Sequence, residues 1–351
     1  MRYLDINQVP TSQEVPSASR MVIAARGAGR HPRENVQMTT QMRAVSQRRY
    51  GSPEVLDVVK IGVPTPGPGQ ALVRVHAAGV NPADWKIRSG IVKKFGKPPF
   101  TLGLDLCGVV EAVGEQVTRF RPGDEVYGCA FPPHGAYAEY AVVPVEALAA
   151  RPASTDHVHA AALPVAALTA WQALVRVAAV RTGHRVLIHA AAGGIGHLAV
   201  QIAKARGAYV IGTARESKHA FLRGLGADEL IDYTTTDFAA ALRGIDVVLD
   251  PISGDYGPRS LDTLTPGGIL IDVRGTGPDR ATVREQAEAR GVRFVEFGFT
   301  PSGIDLESVT DLVERGSLRV AVDHVLPLED VAEAHELSET NRMKGKIVLA
   351  L

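Results

Sequence analysis

The 351-residue chain is 45% hydrophobic and 22% charged, with Lys+Arg and Asp+Glu both at 38 and a formal net charge of zero. That length and apolar content suffice for two domains with sizeable cores, and the charge balance argues against a general nucleic-acid or membrane surface. Two cysteines, Cys107 and Cys129, are too few for a disulfide framework or a structural zinc cage, and no apolar stretch reaches membrane-spanning length; a reducing, cytoplasmic setting is expected.

Residues 1–37 lack periodicity and are rich in Arg, Gln, Ser and Pro. We read 1–41 as a disordered segment, or as translated leader ahead of a start at Met38. The texture then changes. Strands are expected at 44–48 and 56–63, and residues 71–77 alternate as a half-buried strand does. Gly and Pro turns at 64–69, 79–82 and 121–123 separate further short apolar stretches at 100–110, 124–128 and 135–140. Many short strands between such turns indicate a β-rich domain.

A helix over 168–177 leads to the most informative stretch, residues 184–233. A short apolar strand at 186–188 turns through Ala190-Ala191-Ala192-Gly193-Gly194-Ile195-Gly196 into a helix carrying Leu198, Val200, Ile202 and Ala203, and a second strand follows at 209–212. The small residues Ala190, Gly193 and Gly196 give AxxGxxG, a variant of the dinucleotide fingerprint. The first permits the tight turn, the second lets a pyrophosphate approach the backbone, and the third lets helix pack on strand. The helix start offers its free N–H groups to the phosphates. The βαβ setting favours this reading over an ordinary βα turn.

The end of the second strand selects the cofactor. An NAD site carries Asp or Glu there, for the ribose hydroxyls; this strand runs Gly212-Thr213-Ala214-Arg215, with no carboxylate until Glu216. Arg215 and Lys218 are set to meet a 2′-phosphate, and Gly212 and Thr213 leave room for it, so NADPH is expected. The competing reading makes both cations solvated helix-start residues. Strands at 246–250, 269–273 and 293–297, with helices at 237–242 and 257–264, complete a six-stranded, doubly wound parallel sheet of α/β class. Helices at 306–315 and 328–340 follow, and a strand at 346–351 returns to the first domain.

The ordered stretches NPADWKIRSG, PFTLGLDLCGVVEAVG, FRPGDEVYG, GAYAEYAVV, AALPVAALTAWQAL, AAAGGIG, LGADELIDY and MKGKIVLAL together resemble the zinc-independent quinone oxidoreductases of the medium-chain dehydrogenase/reductase superfamily. The resemblance implies a GroES-like catalytic domain at 42–163 and 303–351, split around a Rossmann domain at 164–302, with cofactor and substrate meeting between them. It also implies a homodimer formed by edge-strand pairing. Where the zinc-dependent branch places a Cys ligand and a Gly-His-Glu motif, this chain has Asn81-Pro82-Ala83-Asp84 and Gly103-Leu104-Asp105, so no metal is expected.

Without a Lewis acid, the expected acceptor is one already activated by conjugation: a quinone, an enone or an enoyl thioester. Asn81 is the first candidate to orient substrate or nicotinamide ribose, against a turn-forming role before Pro82. Asp84 either accepts from substrate or caps the helix it starts. Tyr127 and Tyr137 either donate to a developing oxyanion or pack. By the resemblance, Thr169 reaches the nicotinamide ribose or phosphate, Tyr233 lies near the adenosine phosphate and Lys346 closes the site, while Asp250 faces the ligand or caps its loop. Two alternatives remain: an enoyl-thioester reductase of polyketide-tailoring type, for which Lys93, Lys94 and Lys97 form a basic patch, and a noncatalytic NADPH sensor.

Overall fold

The structure, a computed structural model, describes residues 41–274 and 280–351. The expected leader therefore lies outside the described residues, apart from Gln41, which already pairs with Gly62 as the first residue of a strand. In chain order, β1 (Gln41–Gln47) and β2 (Asp57–Gly62) form an antiparallel pair, and the long β3 (Gln70–Val80) runs into helix α1 (Pro82–Ser89). The short β4 (Phe100–Thr101) completes a three-stranded sheet against β1. Next come β5 (Asp105–Val113), β6 (Glu125–Cys129), β7 (Tyr140–Pro144) and β8 (Leu148–Ala150). The strand expected at 135–140 lies further along: Ala136 and Tyr137 donate to Gly103 O and Leu102 O, Tyr137 O accepts the Val45 N–H, and regular pairing starts at Tyr140.

Helices α2 (His157–Ala161) and α3 (Pro164–Trp171) lead out of this half, and α3 continues as a π-helical run over Gln172–Val177. Then follow β9 (Arg185–Ile188), α4 (Gly196–Ala205), β10 (Tyr209–Thr213), α5 (His219–Arg223), β11 (Glu229–Ile231), α6 (Phe238–Ala241), β12 (Ile245–Asp250), α7 (Tyr256–Leu261), β13 (Leu264–Asp272), α8 (Arg280–Ala289) and β14 (Arg293–Glu296). These six strands pair in parallel in the order β11-β10-β9-β12-β13-β14. Their apolar residues, Val186, Leu187, Ile188, Val210, Ile211, Val247 and Val248 among them, are buried because helices cover both faces. The order reverses between β9 and β12, and in such sheets that switch point opens a crevice at the carboxyl ends of the strands.

The chain closes with α9 (Gly303–Glu314), β15 (Val322–Pro327), α10 (Val331–Glu339) and β16 (Lys346–Ala350). The last strand slots between β15 and β3, Ile347 opposite Val80, giving the order β15-β16-β3-β5-β6-β8 with β7 also on β3. Strand β15 was not expected from sequence. Its polar residues Asp323 and His324 and its terminal Pro327 break the alternation, which an edge strand tolerates.

Candidate active site

Strand β3 ends by delivering Asn81 as the N-cap of α1, with Pro82 in the first helical position, where its missing N–H costs nothing. Asp84, three residues on, accepts the Asn81 N–H at 2.8 Å and the Tyr137 hydroxyl at 2.9 Å, both on Oδ2. Its Oδ1 is buried without a partner, and burial, reinforced by the charge of Asp105, pushes its carboxyl up to about 7. The helix-capping reading of Asp84 is the one its contacts express.

The side chain of Asn81 is gripped at both ends. Its Nδ2 donates to Asp105 Oδ2 at 2.8 Å, and its Oδ1 accepts from the Lys346 ammonium, which also lies 3.1 Å from Asp105 Oδ2. Asp105 Oδ1 accepts the Val165 N–H at 2.7 Å, in the first turn of α3, where the helix dipole favours a negative charge. All three side chains are buried, Lys346 at 3% exposure and Asp105 at 0%. An ion pair so desolvated is tolerated because Asn81 and the Val165 N–H add hydrogen bonds to its Coulomb attraction.

The glycine turn abuts this cluster. Ala190 takes φ +46, the left-handed geometry the tight turn demands. A Cβ at Gly196 would stand 2.4 Å from Ala190 O, so only glycine lets α4 start against β9; one at Gly194 would stand 3.3 Å from Lys346 Cδ. Ala192 O accepts the Gly345 N–H at 3.0 Å, and Ile195 is the N-cap of α4. Asn81, Asp84, Lys346 and the turn from Ala192 through Gly196 are thus one neighbourhood.

Other candidates stand apart. The Tyr127 hydroxyl donates to Leu306 O at 2.7 Å and lies 2.9 Å from Thr310 Oγ1, so it is spent on holding α9, and its role as oxyanion donor is corrected to packing. The Thr169 hydroxyl donates to Val165 O at 2.7 Å inside its own helix, and the Thr213 hydroxyl, fully buried, lies 3.1 Å from His189 Nδ1. Asp250 accepts from the N–H groups of Ile252 and Ser253, at 2.7 and 3.0 Å, as a loop cap, and burial raises its carboxyl to about 6. Arg215 and Tyr233 stand together on the surface, Nε 3.3 Å from the phenol oxygen. Lys218 instead donates to the carbonyls of Arg342 and Met343, at 2.8 and 2.9 Å.

Two families match the chain: one described as alcohol dehydrogenase GroES-like domain, over residues 67–153, and one described as zinc-binding dehydrogenase, over 225–349. The quinone oxidoreductase of Lama guanicoe is 35% identical over 326 residues, spanning 88% of this chain and 98% of its own length. The chain belongs to the quinone oxidoreductase family of medium-chain dehydrogenases/reductases. A 2-haloacrylate reductase of a Burkholderia sp is 38% identical, with the same two coverages of 88% and 98%. The structure of the quinone oxidoreductase from Coxiella burnetii superposes with a TM-score of 0.83 at 36% identity, covering 89% of this chain and 100% of that one.

Within this quinone oxidoreductase fold, sequence reasoning singled out neither Asp105, which joins the Asn81–Lys346 cluster, nor His197, which bonds Gly193 O. Asp105 was visible only as a departure from Gly-His-Glu. His197, directly after Gly196, looked like any helix residue. The raised carboxyl of Asp84 carries a measurable consequence. Its unfolded pKa is about 4, so the folded state holds the proton more tightly, and stability from this group is full below that value and lost as pH rises through about 7. Asp84→Asn mimics the neutral form and should gain on the wild type by on the order of 2–4 kcal/mol between pH 5 and pH 8. Urea unfolding at both pH values checks this; a constant difference between the two proteins would refute it.

Proposed function

We propose that the protein is a zinc-independent, NADPH-dependent reductase of quinones or α,β-unsaturated carbonyls. The observation that carries the reading is the buried Asn81–Asp105–Lys346 cluster packed against a glycine turn fit to receive a pyrophosphate. Bound there, NADPH supplies a hydride from its nicotinamide C4. The chain's own work is positional. Gly193 and Gly194 keep the turn free of side chains, and the N–H groups at the start of α4 would hold the phosphates. Asn81, clamped by Lys346 and Asp105, offers its remaining amide N–H in fixed geometry, so little reorganisation is needed when charge develops on the acceptor oxygen. The low dielectric around the cluster strengthens that donor.

The donor set does not suit a zinc ion. Asn and Asp stand where thiolate and imidazole ligands would be, and the Lys346 ammonium already supplies the cation between them. Among the described residues no group of three His, Cys, Asp or Glu side chains could hold a metal. NADPH over NADH is supported by Arg215, solvent-exposed at the end of β10 with Tyr233 beside it. Two buried free cysteines favour a cytoplasmic protein, and no described helix is long and apolar enough to cross a membrane. A homodimer formed by edge-strand pairing between two such parallel sheets completes the reading.

The test is NADPH oxidation at 340 nm with 1,4-benzoquinone, 9,10-phenanthrenequinone, an enone and crotonyl-CoA, with NADH as control. Quinone or enone turnover that favours NADPH is expected, and Arg215→Ala should raise KM for NADPH about tenfold while leaving that for NADH nearly unchanged. Turnover of crotonyl-CoA alone would move the assignment to an enoyl-thioester reductase. Saturable NADPH binding with no turnover would make the protein a sensor.

A further inference from the structure

Helix α4 carries two buried polar side chains one turn apart, His197 at 0% and Gln201 at 6% exposure. His197 Nδ1 lies 2.8 Å from Gly193 O, and its Nε2 accepts the Ala321 N–H at 3.1 Å. A carbonyl only accepts and a backbone amide only donates, so the two partners specify one neutral tautomer, with the proton on Nδ1. Gln201 takes both the N–H and the C=O of Arg319, each at 2.9 Å. An extended segment just before β15 is therefore docked on the helix by side chains reading its backbone.

That segment leads straight to the cluster. Ala321 O accepts the Lys346 N–H at 2.9 Å, and Gly345, one residue earlier, reaches Ala192 O at 3.0 Å. Gly345 is held at φ +88, where a Cβ would stand 2.2 Å from Ala321 O. A continuous run of hydrogen bonds thus joins the glycine turn to His197, Ala321, the Lys346 backbone and the Asn81–Asp105 pair. A buried imidazole needs partners for both nitrogens; here they are the glycine turn on one side and the segment leading into β15 on the other, so the ring bridges the two.

We propose that His197 is a positioning residue that holds the glycine turn and the Lys346 strand in one register. The inference rests on the assignment of that turn to NADPH. Burial, aided by the nearby Lys346 ammonium, pushes the imidazole down to about 4, so the neutral ring that makes both bonds prevails at neutral pH.

Two conservative variants separate the halves of the link. His197→Asn keeps a donor at the Nδ1 position, for Gly193, and loses the acceptor for Ala321; His197→Gln keeps an acceptor at the Nε2 position and loses the donor to Gly193. Binding of NADPH by calorimetry and kcat with 1,4-benzoquinone at saturating NADPH are the two readouts. His197→Gln should weaken NADPH binding about five- to tenfold with kcat little changed, and His197→Asn should lower kcat by a similar factor with NADPH affinity retained. Equal losses in both readouts, no change in either, or loss of folding in both variants would overturn the role. If the wild type itself fails to bind NADPH, the cofactor assignment falls instead, which is a different result.

Discussion

Lys346→Met is expected to lower kcat/KM by at least about a hundredfold and to cost about 3–5 kcal/mol of stability. The ammonium is buried at the centre of three groups: Asn81 Oδ1, Asp105 Oδ2 at 3.1 Å, and the glycine turn packed on its alkyl stem. Methionine preserves the stem, so the loss isolates the charge. Asp105 would remain buried with its Oδ2 facing only Asn81, and a charge stripped of its counter-ion in such a site is far costlier than the pair was beneficial. The double variant Lys346→Met/Asp105→Asn discriminates stability from catalysis. It should recover most of the stability, because no uncompensated charge is left, yet stay inactive, because Asn81 is no longer aligned. Urea midpoints and kcat/KM on the three proteins check both parts. Recovery of activity in the double variant would exclude the alignment role.

Gly196→Ala and Gly193→Ala should differ sharply although both change the same turn. At Gly196 the added methyl meets backbone on three sides, Ala190 O at 2.4 Å and Ala191 Cα and O at 2.7 Å each, so the start of α4 must move. A cost of about 1–3 kcal/mol and loss of NADPH binding by at least about a hundredfold are expected. At Gly193 the nearest atom is Ala190 O at 3.2 Å, which a small relaxation accommodates. Stability should change by no more than about 0.5 kcal/mol, while on the proposed cofactor placement NADPH binding should weaken about tenfold or more. Calorimetric titration and thermal melting on both variants decide it. Undiminished NADPH affinity in the folded Gly193→Ala protein would remove the turn from the cofactor site.

The parallel sheet and its glycine turn were legible in the sequence because backbone geometry imposes them locally. Ala190, Gly193 and Gly196 satisfy steric demands set by residues within a few positions, and strands such as Arg185–Ile188 are apolar because both faces are covered. The cluster was legible only in parts. Asn81 and Lys346 were found through resemblance, 265 positions apart, but nothing local says that one amide bonds the other's ammonium. Asp105 acquires its meaning only when β16 is laid beside β3 and β3 beside β5, a pairing that alternation patterns do not encode. The partners of the buried hydroxyls were not legible either. The Thr169 hydroxyl bonds Val165 O one turn back, that of Thr213 lies beside His189 from the neighbouring strand, and that of Tyr127 bonds Leu306 O in α9.

The sheet that carries Asn81 and Lys346 is also split in time. β3 is translated early, but its partner β16 is encoded after the whole parallel sheet, so at about 5–20 residues per second Asn81 waits roughly ten to fifty seconds for Lys346 to be synthesised. Until then one edge of β3 is open along Ala77 to Val80, an apolar margin able to pair with another nascent chain. The parallel sheet, contiguous between residues 185 and 296, faces no such delay and can close while its neighbour is incomplete. The parallel sheet can therefore be complete before Lys346 reaches Asn81, and the last strand closes both the cluster and the Gly345–Ala192 contact on the glycine turn.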